Sequence, residues 1–325
     1  MVVRRIGKIA VVALAAMLVL VGAGALAFIP FGDGPEYRFR RVFGTSGEGP
    51  GQFDDPTGVA VTAERVFVAD SRNGRIQVFD RQGTFLRAFG ERGDEPGQFG
   101  RPMNLTVDGD KLYVPEYFND RVQVFSLDGE PLTVLGGAGT GEGQFNAPGG
   151  VGVFPGGDLL VADFYNHRVQ RLTPDGEFVR KWDTTGEAGV AAGAFSYPTD
   201  VATLDDGGFV VADGYNDRVQ AFGAEGEFRV KWGGPFAMNI HGPFNGWFAT
   251  VTGIATSPDG RVFVADFYND RVQVFRSDGT FLTDFGETGD GEFNHAIALD
   301  IAPDGTVYVA DFLNDRIQIW QPEAL

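Results

Sequence analysis

Short runs of alternating apolar and polar residues, separated by glycine-bearing turns, fill the chain from about residue 37 to its end. Such runs predict short β-strands joined by hairpins. In the first complete unit, the four predicted strands cover residues 58–61, 66–70, 75–79 and 85–89. Turns such as Pro258-Asp259-Gly260 supply the positive φ that a tight hairpin needs. Each unit is therefore predicted to be a four-stranded antiparallel meander.

One motif recurs six times in this pattern. It reads Val-Ala-Asp-x-x-Asn-x-Arg-Val/Ile-Gln, with Pro115-Glu116 replacing Ala-Asp in the second copy. Successive copies are 46, 47, 50, 53 and 45 residues apart, measured between Asn73, Asn119, Asn166, Asn216, Asn269 and Asn314. Four-stranded sheets bury their two apolar faces by stacking radially, which produces a propeller. We therefore predict an all-β, six-bladed β-propeller of four-stranded antiparallel blades over residues 37–325.

The two ends of the predicted propeller complement each other. The last repeat stops at Trp320, after its third strand, and so lacks its fourth. Residues 39–44 resemble the fourth strand at residues 85–90 but have no repeat in front of them. Pairing this N-terminal strand onto the last blade would close the ring and leave no unpaired edge.

The sixfold motif resembles the NHL repeat, and the resemblance covers residues 38–320. NHL-repeat proteins are six-bladed propellers, which agrees with the count above. The family includes sensor domains, protein and RNA scaffolds and a metal-dependent peptide-amidating lyase, so the resemblance implies a fold but no single activity. In that lyase, the propeller histidines directly follow the proline that leads into the first strand of a blade. The matching positions here hold no histidine and are Thr57, Met103, Gly149, Thr199, Thr252 and Ile297.

Residues 9–29 are uncharged and mostly apolar, and are preceded by Arg4, Arg5 and Lys8. As a helix they would cross a hydrocarbon core of about 30 Å. The positive-inside rule then places residues 1–8 in the cytoplasm and the propeller outside a membrane. We therefore predict a single-pass membrane protein whose propeller is extracytoplasmic.

The alternative to a retained transmembrane anchor is a cleaved signal peptide. Ala25-Leu26-Ala27 has the small-x-small form of a cleavage site. Cleavage would make the protein secreted or periplasmic. Both interpretations export the propeller, which residues 30–36 are predicted to join as a linker.

The net negative charge of the chain limits the classes of molecule that it is expected to bind. The chain has 26 basic and 44 acidic residues and a formal charge of −18, and because residues 1–31 carry three positive charges, the remainder carries −21. A domain this acidic repels phosphate backbones, so we expect a protein or small-molecule ligand and no nucleic acid. The absence of cysteine from the sequence excludes disulfides, thiolate metal sites and cysteine nucleophiles.

The repeated carboxylates suggest a cation site but are better explained by folding. A residue needed in every blade is expected to accept hydrogen bonds from the turn between the second and third strands, with the arginine five residues later as its charge partner. We predict this structural role for the six acidic residues of the motif, Asp70, Glu116, Asp163, Asp213, Asp266 and Asp311.

The three histidines, His167, His241 and His295, are all predicted to lie on one face of the disc, in turns or connections. Three histidines would suit zinc with an open position for catalysis. The alternative function is therefore a metal-dependent lyase or hydrolase, with His241 and His295 as candidate zinc ligands. We expect instead that the histidines are solvated or pack in loops and that no cofactor is bound, with zinc or calcium as the alternatives.

The candidate binding site is the connection from the fourth repeat to the fifth, Gly233 to Val251, whose offset of 18 exceeds the 10 to 15 found elsewhere. No charged residue occurs from Gly233 to Pro258. Its apolar and aromatic residues are predicted to form a ligand lid or partner surface, or else to plug the channel mouth: Phe236, Met238, Ile240, His241, Phe244, Trp247 and Phe248.

Five further residues are predicted to contribute to this site. Tyr215, Phe267 and Tyr268 lie in neighbouring turns and would extend the apolar surface. Asn104 and Asp200 replace small residues at the start of the first strand, and would either orient a polar ligand there or, as we rather expect, only pack within the channel. The predicted function is a non-catalytic, extracytoplasmic ligand- or protein-binding domain that acts as a sensor or scaffold.

Overall fold

Six four-stranded antiparallel sheets surround a central channel in the computed structural model, which describes residues 29–183, 186–287, 289 and 291–323. The first half of the chain forms β1 (Tyr37–Phe43), β2 (Thr45–Ser46), β3 (Gln52–Phe53), β4 (Pro56–Val61), β5 (Arg65–Asp70), β6 (Arg75–Asp80), β7 (Phe85–Phe89), β8 (Thr106–Asp108), β9 (Lys111–Glu116), β10 (Arg121–Ser126), β11 (Pro131–Gly136), β12 (Pro148–Val153) and β13 (Leu159–Asp163). The second half forms β14 (Arg168–Leu172), β15 (Phe178–Trp182), β16 (Pro198–Thr203), β17 (Phe209–Asp213), β18 (Arg218–Phe222), β19 (Phe228–Trp232), β20 (Val251–Thr256), β21 (Arg261–Asp266), β22 (Arg271–Arg276), β23 (Phe281–Phe285), β24 (Ala296–Ile301), β25 (Val307–Asp311) and β26 (Arg316–Pro322). Single-turn 3-10 helices lie at Phe164–Asn166, Gly214–Asn216, Pro235–Ala237, Phe267–Asn269 and Phe312–Asn314.

The predicted six-bladed propeller is confirmed. Blades 1 to 5 consist of β4–β7, β8–β11, β12–β15, β16–β19 and β20–β23, and blade 6 consists of β24–β26 with β1. The first three strands of a blade are buried on both faces between neighbouring blades, so they read as Val, Ala and Phe runs. The fourth strand is half exposed, as the alternating burial of β7 shows.

The N-terminal strand closes the ring as predicted. β1 pairs antiparallel with β26, with Tyr37 opposite Pro322 and Phe43 opposite Ile317. Tyr37 stacks on Phe285 of blade 5 at a centroid distance of 4.9 Å, whereas Phe43 lies 4.8 Å from Phe79 of blade 1. One short strand therefore contacts both blades that flank blade 6.

A buried polar cluster lies at the same place in every blade, and blade 4 shows its geometry. Asp213 accepts hydrogen bonds from Asn216, Arg218 Nε and Gln220, at 2.9, 2.7 and 3.0 Å. The Arg218 guanidinium also donates to the carbonyls of the connection that enters the blade, including Ala194 O at 2.8 Å. The predicted structural role of the repeated acidic residues is thereby confirmed, because each cluster ties a turn to a connection.

Neighbouring blades are joined by a second repeated contact. Asp217, the last residue of the turn after β17, accepts a hydrogen bond from Thr250 N at 2.7 Å. The same contact recurs from blade to blade as Asp120 with Ala147, His167 with Tyr197, Asp270 with His295 and Asp315 with Asp55. These contacts bring the second-to-third turns and the blade-to-blade connections onto one side of the disc, called here the turn face.

Blade 2 departs from the repeat because of Pro115. A proline in the second strand has no N–H to donate to the neighbouring strand. The first strand of this blade, β8, is correspondingly short. The chain before it contacts β9 through an isolated bridge between Pro102 and Glu116 and through hydrogen bonds from Met103 N to Pro115 O and from Gly100 N to Glu116 Oε2. Residue 104 is thereby released from the sheet beside the channel.

The predicted anchor, residues 9–29, lies outside the described residues except for Ile29. Among the residues that the structure describes, no helix is both long and apolar enough to cross a membrane. The predicted linker, residues 30–36, packs against blade 5, where Gly34 N donates to Leu282 O at 2.9 Å.

Candidate functional site

A cavity of about 390 Å³ opens at the centre of the turn face. Its floor is formed by one residue from each blade, at the start of the first strand or, in blade 2, shortly before it: Thr57, Met103, Gly149, Thr199, Thr252 and Ile297. Its wall is mainly aromatic and carries one cation, and consists of Arg101, Tyr117, Phe164, Tyr215, Phe267 and Tyr268. We call these floor and wall residues together the aromatic cup.

The wall aromatics come from the turns that follow the acidic residue of the motif. Phe164 and Phe267 each begin a 3-10 helix directly after Asp163 and Asp266, whose buried clusters fix those turns. Ring contacts with Tyr197, at 4.9 Å from Phe164 and 4.7 Å from Tyr215, hold two neighbouring turns together. The wall is therefore preorganised by packing.

Two of the wall tyrosines keep most of their surface free for a ligand. Tyr215 and Tyr268 are 55% and 62% exposed. Tyr117 is different, because its hydroxyl donates to Tyr165 Oη at 2.6 Å, and burial together with this hydrogen bond raises the pKa of Tyr117. The wall therefore offers a ligand aromatic ring faces and phenol hydroxyl groups.

Arg101 is the cation of the cup. Its guanidinium lies 3.9 Å from Asp55, which is itself paired with Arg72 at 2.5 Å. Arg101 Nε is buried and has no hydrogen-bond partner among the described residues. Because its nearest carboxylate is 3.9 Å away and shared with Arg72, the Arg101 guanidinium gives the wall a positive charge that suits an anionic group bound in the cup.

Asn104 and Asp200 meet below the cup. Asn104 Nδ2 donates to Asp200 Oδ2 at 2.5 Å, and the same oxygen accepts from Ile254 N at 2.9 Å, so blades 2, 4 and 5 are linked across the channel. We call the Asn104–Asp200 pair the crossbar. Asn104 lines the cup, whereas Asp200 is only 2% exposed and its oxygens accept hydrogen bonds from Asn104, Val201 N and Ile254 N, which gives Asp200 a packing role.

A second, polar cavity of about 120 Å³ lies in the channel below the crossbar, lined by Asp200 and Asp300 among others. Burial raises the pKa of both carboxyls to about 7, despite hydrogen bonds from backbone N–H groups such as Val61 N to Asp300. The negative charge of Asp300 raises that of Asp200 further. The two groups therefore titrate near neutral pH.

The long connection from Gly233 to Val251 is only partly the exposed surface that the sequence predicts. Phe236, Met238, Ile240 and Phe244 are exposed, as is the side chain of His241. Trp247 and Phe248 are 8% and 0% exposed, so their assignment to a binding surface is wrong. Phe248 is the core phenylalanine of its repeat, equivalent to Phe53, Phe99, Phe145, Phe195 and Phe293.

The structure separates most of this connection from the aromatic cup, which only its last residues reach, through Thr250. Phe236 lines another hollow, of about 400 Å³, at the outer edge of the disc together with Pro30, Trp232 and Phe275. No residue from 236 to 248 lines the cup. Among the described residues, the connection therefore does not plug the channel mouth. Tyr215, Phe267 and Tyr268 belong to the cup rather than to the surface of the connection.

The three histidines have three different neighbours. His167 Nδ1 accepts a hydrogen bond from Tyr197 N at 3.1 Å, and burial lowers the pKa of His167. His241 Nδ1 lies 4.0 Å from Asp217, and His295 Nδ1 lies 3.0 Å from Asp270. His241 and His295 therefore pair with carboxylates of different blades.

One group of three carboxylates among the described residues brings ligand atoms within 4.8 Å of one another, namely Asp54, Asp55 and Asp315. Arg72 pairs with both Asp54 and Asp55, and Asp315 accepts from Asp55 N. These carboxylates already serve an ion pair and a contact between blades. The floor of the cup offers no His, Asp, Glu or Cys.

Three wall residues were missed by the sequence interpretation, namely Arg101, Tyr117 and Phe164. Tyr117 and Phe164 occupy the same position of the motif as Phe267, directly after the acidic residue, so the repeat itself carried the signal. Arg101 gave no comparable signal, because it lies in a connection whose path only the fold defines.

Comparison with known proteins agrees with this architecture. A family model for the NHL repeat matches residues 145–172, 195–222 and 248–275, and another, described as a 6-bladed beta-propeller, matches residues 52–136. The chain contains NHL repeats. Each match runs from the end of the connection that leads into blade 3, 4 or 5 through the first three strands of that blade.

A curated protein with similar sequence is Protein brain tumor of Drosophila melanogaster, which is 52% identical over 44 residues. The match spans 13% of this chain and 4% of that protein. The similarity is therefore confined to about one NHL repeat, and the activity of that much longer protein does not transfer with it.

Solved structures share the fold of this NHL propeller at low sequence identity. A protein of unknown function from Bacteroides thetaiotaomicron has a TM-score of 0.68 at 15% identity, covering 89% of this chain and 76% of its own. The WD40 propeller domain of Doa1 has a TM-score of 0.61 at 13% sequence identity, and the match covers 89% of this chain and 98% of that one. Virginiamycin B lyase from Staphylococcus aureus has a TM-score of 0.57 at 14% sequence identity, and the match covers 89% of this chain and 100% of that one. These likenesses show the fold alone.

Proposed function

We propose that this chain is a membrane-anchored, extracytoplasmic NHL propeller that binds a ligand in the aromatic cup without catalysing a reaction. The observation that carries the proposal is the convergence of five aromatic rings and Arg101 around the channel mouth. A concave, mainly apolar site with a few fixed polar groups is the usual form of a ligand site.

The chemistry of the wall favours a flat or apolar ligand with an acidic group. Ring faces of Tyr215 and Tyr268 stack on such a ligand, and each aromatic contact contributes about 0.5–1.5 kcal/mol beyond area burial. Arg101, the cation of the wall, binds the acidic group. A protein partner would satisfy the same chemistry by inserting an apolar side chain beside a carboxylate.

The proposal is tested with 2-naphthoate and its neutral analogue 2-naphthamide, titrated calorimetrically into the full chain in lipid nanodiscs. Wild-type protein is expected to bind the naphthoate more tightly. Arg101→Gln should abolish that preference, and Tyr268→Ala should weaken binding of both probes roughly fivefold, as the loss of about 1 kcal/mol implies.

The control is Leu313→Ala. Leu313 is 50% exposed and has the same place in the turn of blade 6 as Tyr268 has in blade 5, but it does not line the cup. Equal effects of Leu313→Ala and Tyr268→Ala, or a naphthoate preference that survives Arg101→Gln, would contradict the proposal.

The alternative function is a metal-dependent lyase or hydrolase that uses His241 and His295. The cup floor, at the positions where the resemblance to the amidating lyase would need histidines, does not favour it. Elemental analysis separates the two functions. Stoichiometric zinc that is lost in the His241→Ala, His295→Ala double variant would support the metalloenzyme.

Anchoring by residues 9–29 is supported by their length and by the basic residues before them. The native protein should partition with membranes and begin at or near Met1. A mature N-terminus at Phe28 would show instead that a signal peptide is cleaved after Ala27.

A further inference from the structure

The chain that follows the predicted anchor is held firmly against blade 5. Besides the hydrogen bond from Gly34 to Leu282, the segment approaches so closely that a Cβ on Gly32 would lie 1.9 Å from Leu282 O. Pro30 in turn lies against Gly246, where an added Cβ would be 2.8 Å from its ring. The point where residues 1–28 join the propeller is therefore fixed beside the connection of residues 233–251.

Exposed apolar side chains gather at this point. Phe31 is 96% and Phe236 is 70% exposed, and Met238, Ile240 and Phe244 are also exposed. We call these five residues the apolar shoulder. Pro30 and Phe236 line the same outer hollow, which connects the shoulder directly to the start of the described chain.

Two buried arginines hold the backbone of the connection by hydrogen bonds to its carbonyl groups, and its apolar side chains face outward. Arg218 donates to Ala237 O, and Arg271 donates to Phe244 O at 2.8 Å. Phe236, Ala237 and Asn239 have φ of 60°, 48° and 57°, a left-handed conformation that is uncommon for residues with side chains. Such strain persists where the surrounding structure enforces it, and it often marks a functional segment.

The distribution of charged residues also distinguishes the apolar shoulder from the rest of the domain. The residues outside positions 1–31 carry a net charge of −21, yet no charged residue occurs from Gly233 to Pro258. Bilayer surfaces with anionic lipids repel acidic protein surface, so an uncharged apolar segment next to the anchor is the part of the domain suited to approach them.

We propose that the apolar shoulder lies in the interfacial layer of the membrane that holds the chain, so that the propeller rests on the bilayer by its edge between blades 4 and 5. This inference rests on the proposed anchoring by residues 9–29. The anchor brings the bilayer to the shoulder, and the shoulder fixes how the disc is oriented on it.

The sequence contains no cysteine, so a single introduced cysteine can be labelled uniquely. Met238→Cys carries the label within the shoulder and leaves its three phenylalanines in place. Leu132→Cys, in the outer strand of blade 2, is the matched control, because Leu132 and Met238 are both 53% exposed. Each full-length variant is labelled with bimane and reconstituted in phosphatidylcholine vesicles with a minor fraction of phosphatidylglycerol and nitroxide-bearing lipid.

The label at residue 238 is expected to lose most of its fluorescence to the lipid nitroxide, whereas the label at residue 132 keeps it. Alkaline carbonate extraction of the same vesicles reports the anchor separately. If the chain resists extraction and the two labels are quenched equally, the shoulder proposal fails and the anchor stands. If carbonate extracts the chain, the anchor fails and the shoulder proposal fails with it.

Discussion

Removing one aromatic side chain from the closing strand should destabilise the whole ring. In Phe43→Ala the strand keeps its backbone pairing with β26 but loses a side chain that is 9% exposed and packs on Phe79 and Phe53 of blade 1. Its ring also covers Gly83, where an added Cβ would lie 2.6 Å from the phenyl carbons. The cavity left behind therefore lies on the seam between blades 6 and 1.

Truncation of a buried phenylalanine costs about 3–5 kcal/mol, and the slight exposure of Phe43 places it near the lower end of that range. For a domain of this size, 1 kcal/mol corresponds to roughly 2–4 °C in Tm. We therefore expect Phe43→Ala to lower the Tm by about 6 to 12 °C.

The assay is thermal unfolding of the full chain in detergent, followed by tryptophan fluorescence. Val42→Ala is the matched control, since Val42 is in the same strand and also loses a strand-favouring side chain, but is 38% exposed. It should cost about 1 kcal/mol or less. A Tm for Phe43→Ala no lower than that of Val42→Ala would refute the claim that this strand fastens the ring by packing.

Two further predictions concern buried charges. Arg218→Ala leaves the Asp213 carboxylate without its ion-pair partner in the core, and should lower the free energy of unfolding in urea by about 3–5 kcal/mol. The control Arg229→Ala removes a surface ion pair and should lower it by about 1 kcal/mol or less. Equal losses would contradict the structural role of the cluster. Burial raises the pKa of Asp200 in the folded state to about 7, from an ordinary value of 3.8, so between these pH values the folded state holds a proton that the unfolded state has released. Stability from this group is full below pH 4 and is lost as the pH rises through 7, by on the order of 4 kcal/mol. Asp200→Asn should flatten the fall in Tm between pH 5 and 8, and an unchanged slope would count against the shifted pKa.

The repeat made most of the fold predictable. Strands predicted at residues 66–70, 75–79 and 85–89 differ from β5, β6 and β7 by at most one residue, because hydrophobic alternation and turn glycines recur in each blade. The closing strand was predictable for the same reason, since a fourth strand without a repeat has a single vacant edge to join.

The functional site was predictable only where it follows the repeat. Tyr215, Phe267 and Tyr268 were found because they lie in the turns. The aromatic connection was predicted to be a ligand lid or partner surface, or else a plug of the channel mouth, and Phe236 lies instead beside a hollow at the outer edge. Its path depends on a contact between Pro30 and Gly246, and Pro30 is distant from the connection in sequence. The burial of Phe248 could have been predicted from its place in the repeat.

The crossbar makes the channel a dead end. Because Asn104 and Asp200 are bonded across it between the cup and the lower cavity, a ligand in the cup must leave through the opening by which it entered. A polymer cannot thread through the disc and can offer the cup only a terminus, a branch or a projecting side group. Entry and release share one path, so anything that covers the turn face would slow both rates together and leave the affinity of an occupied cup unchanged.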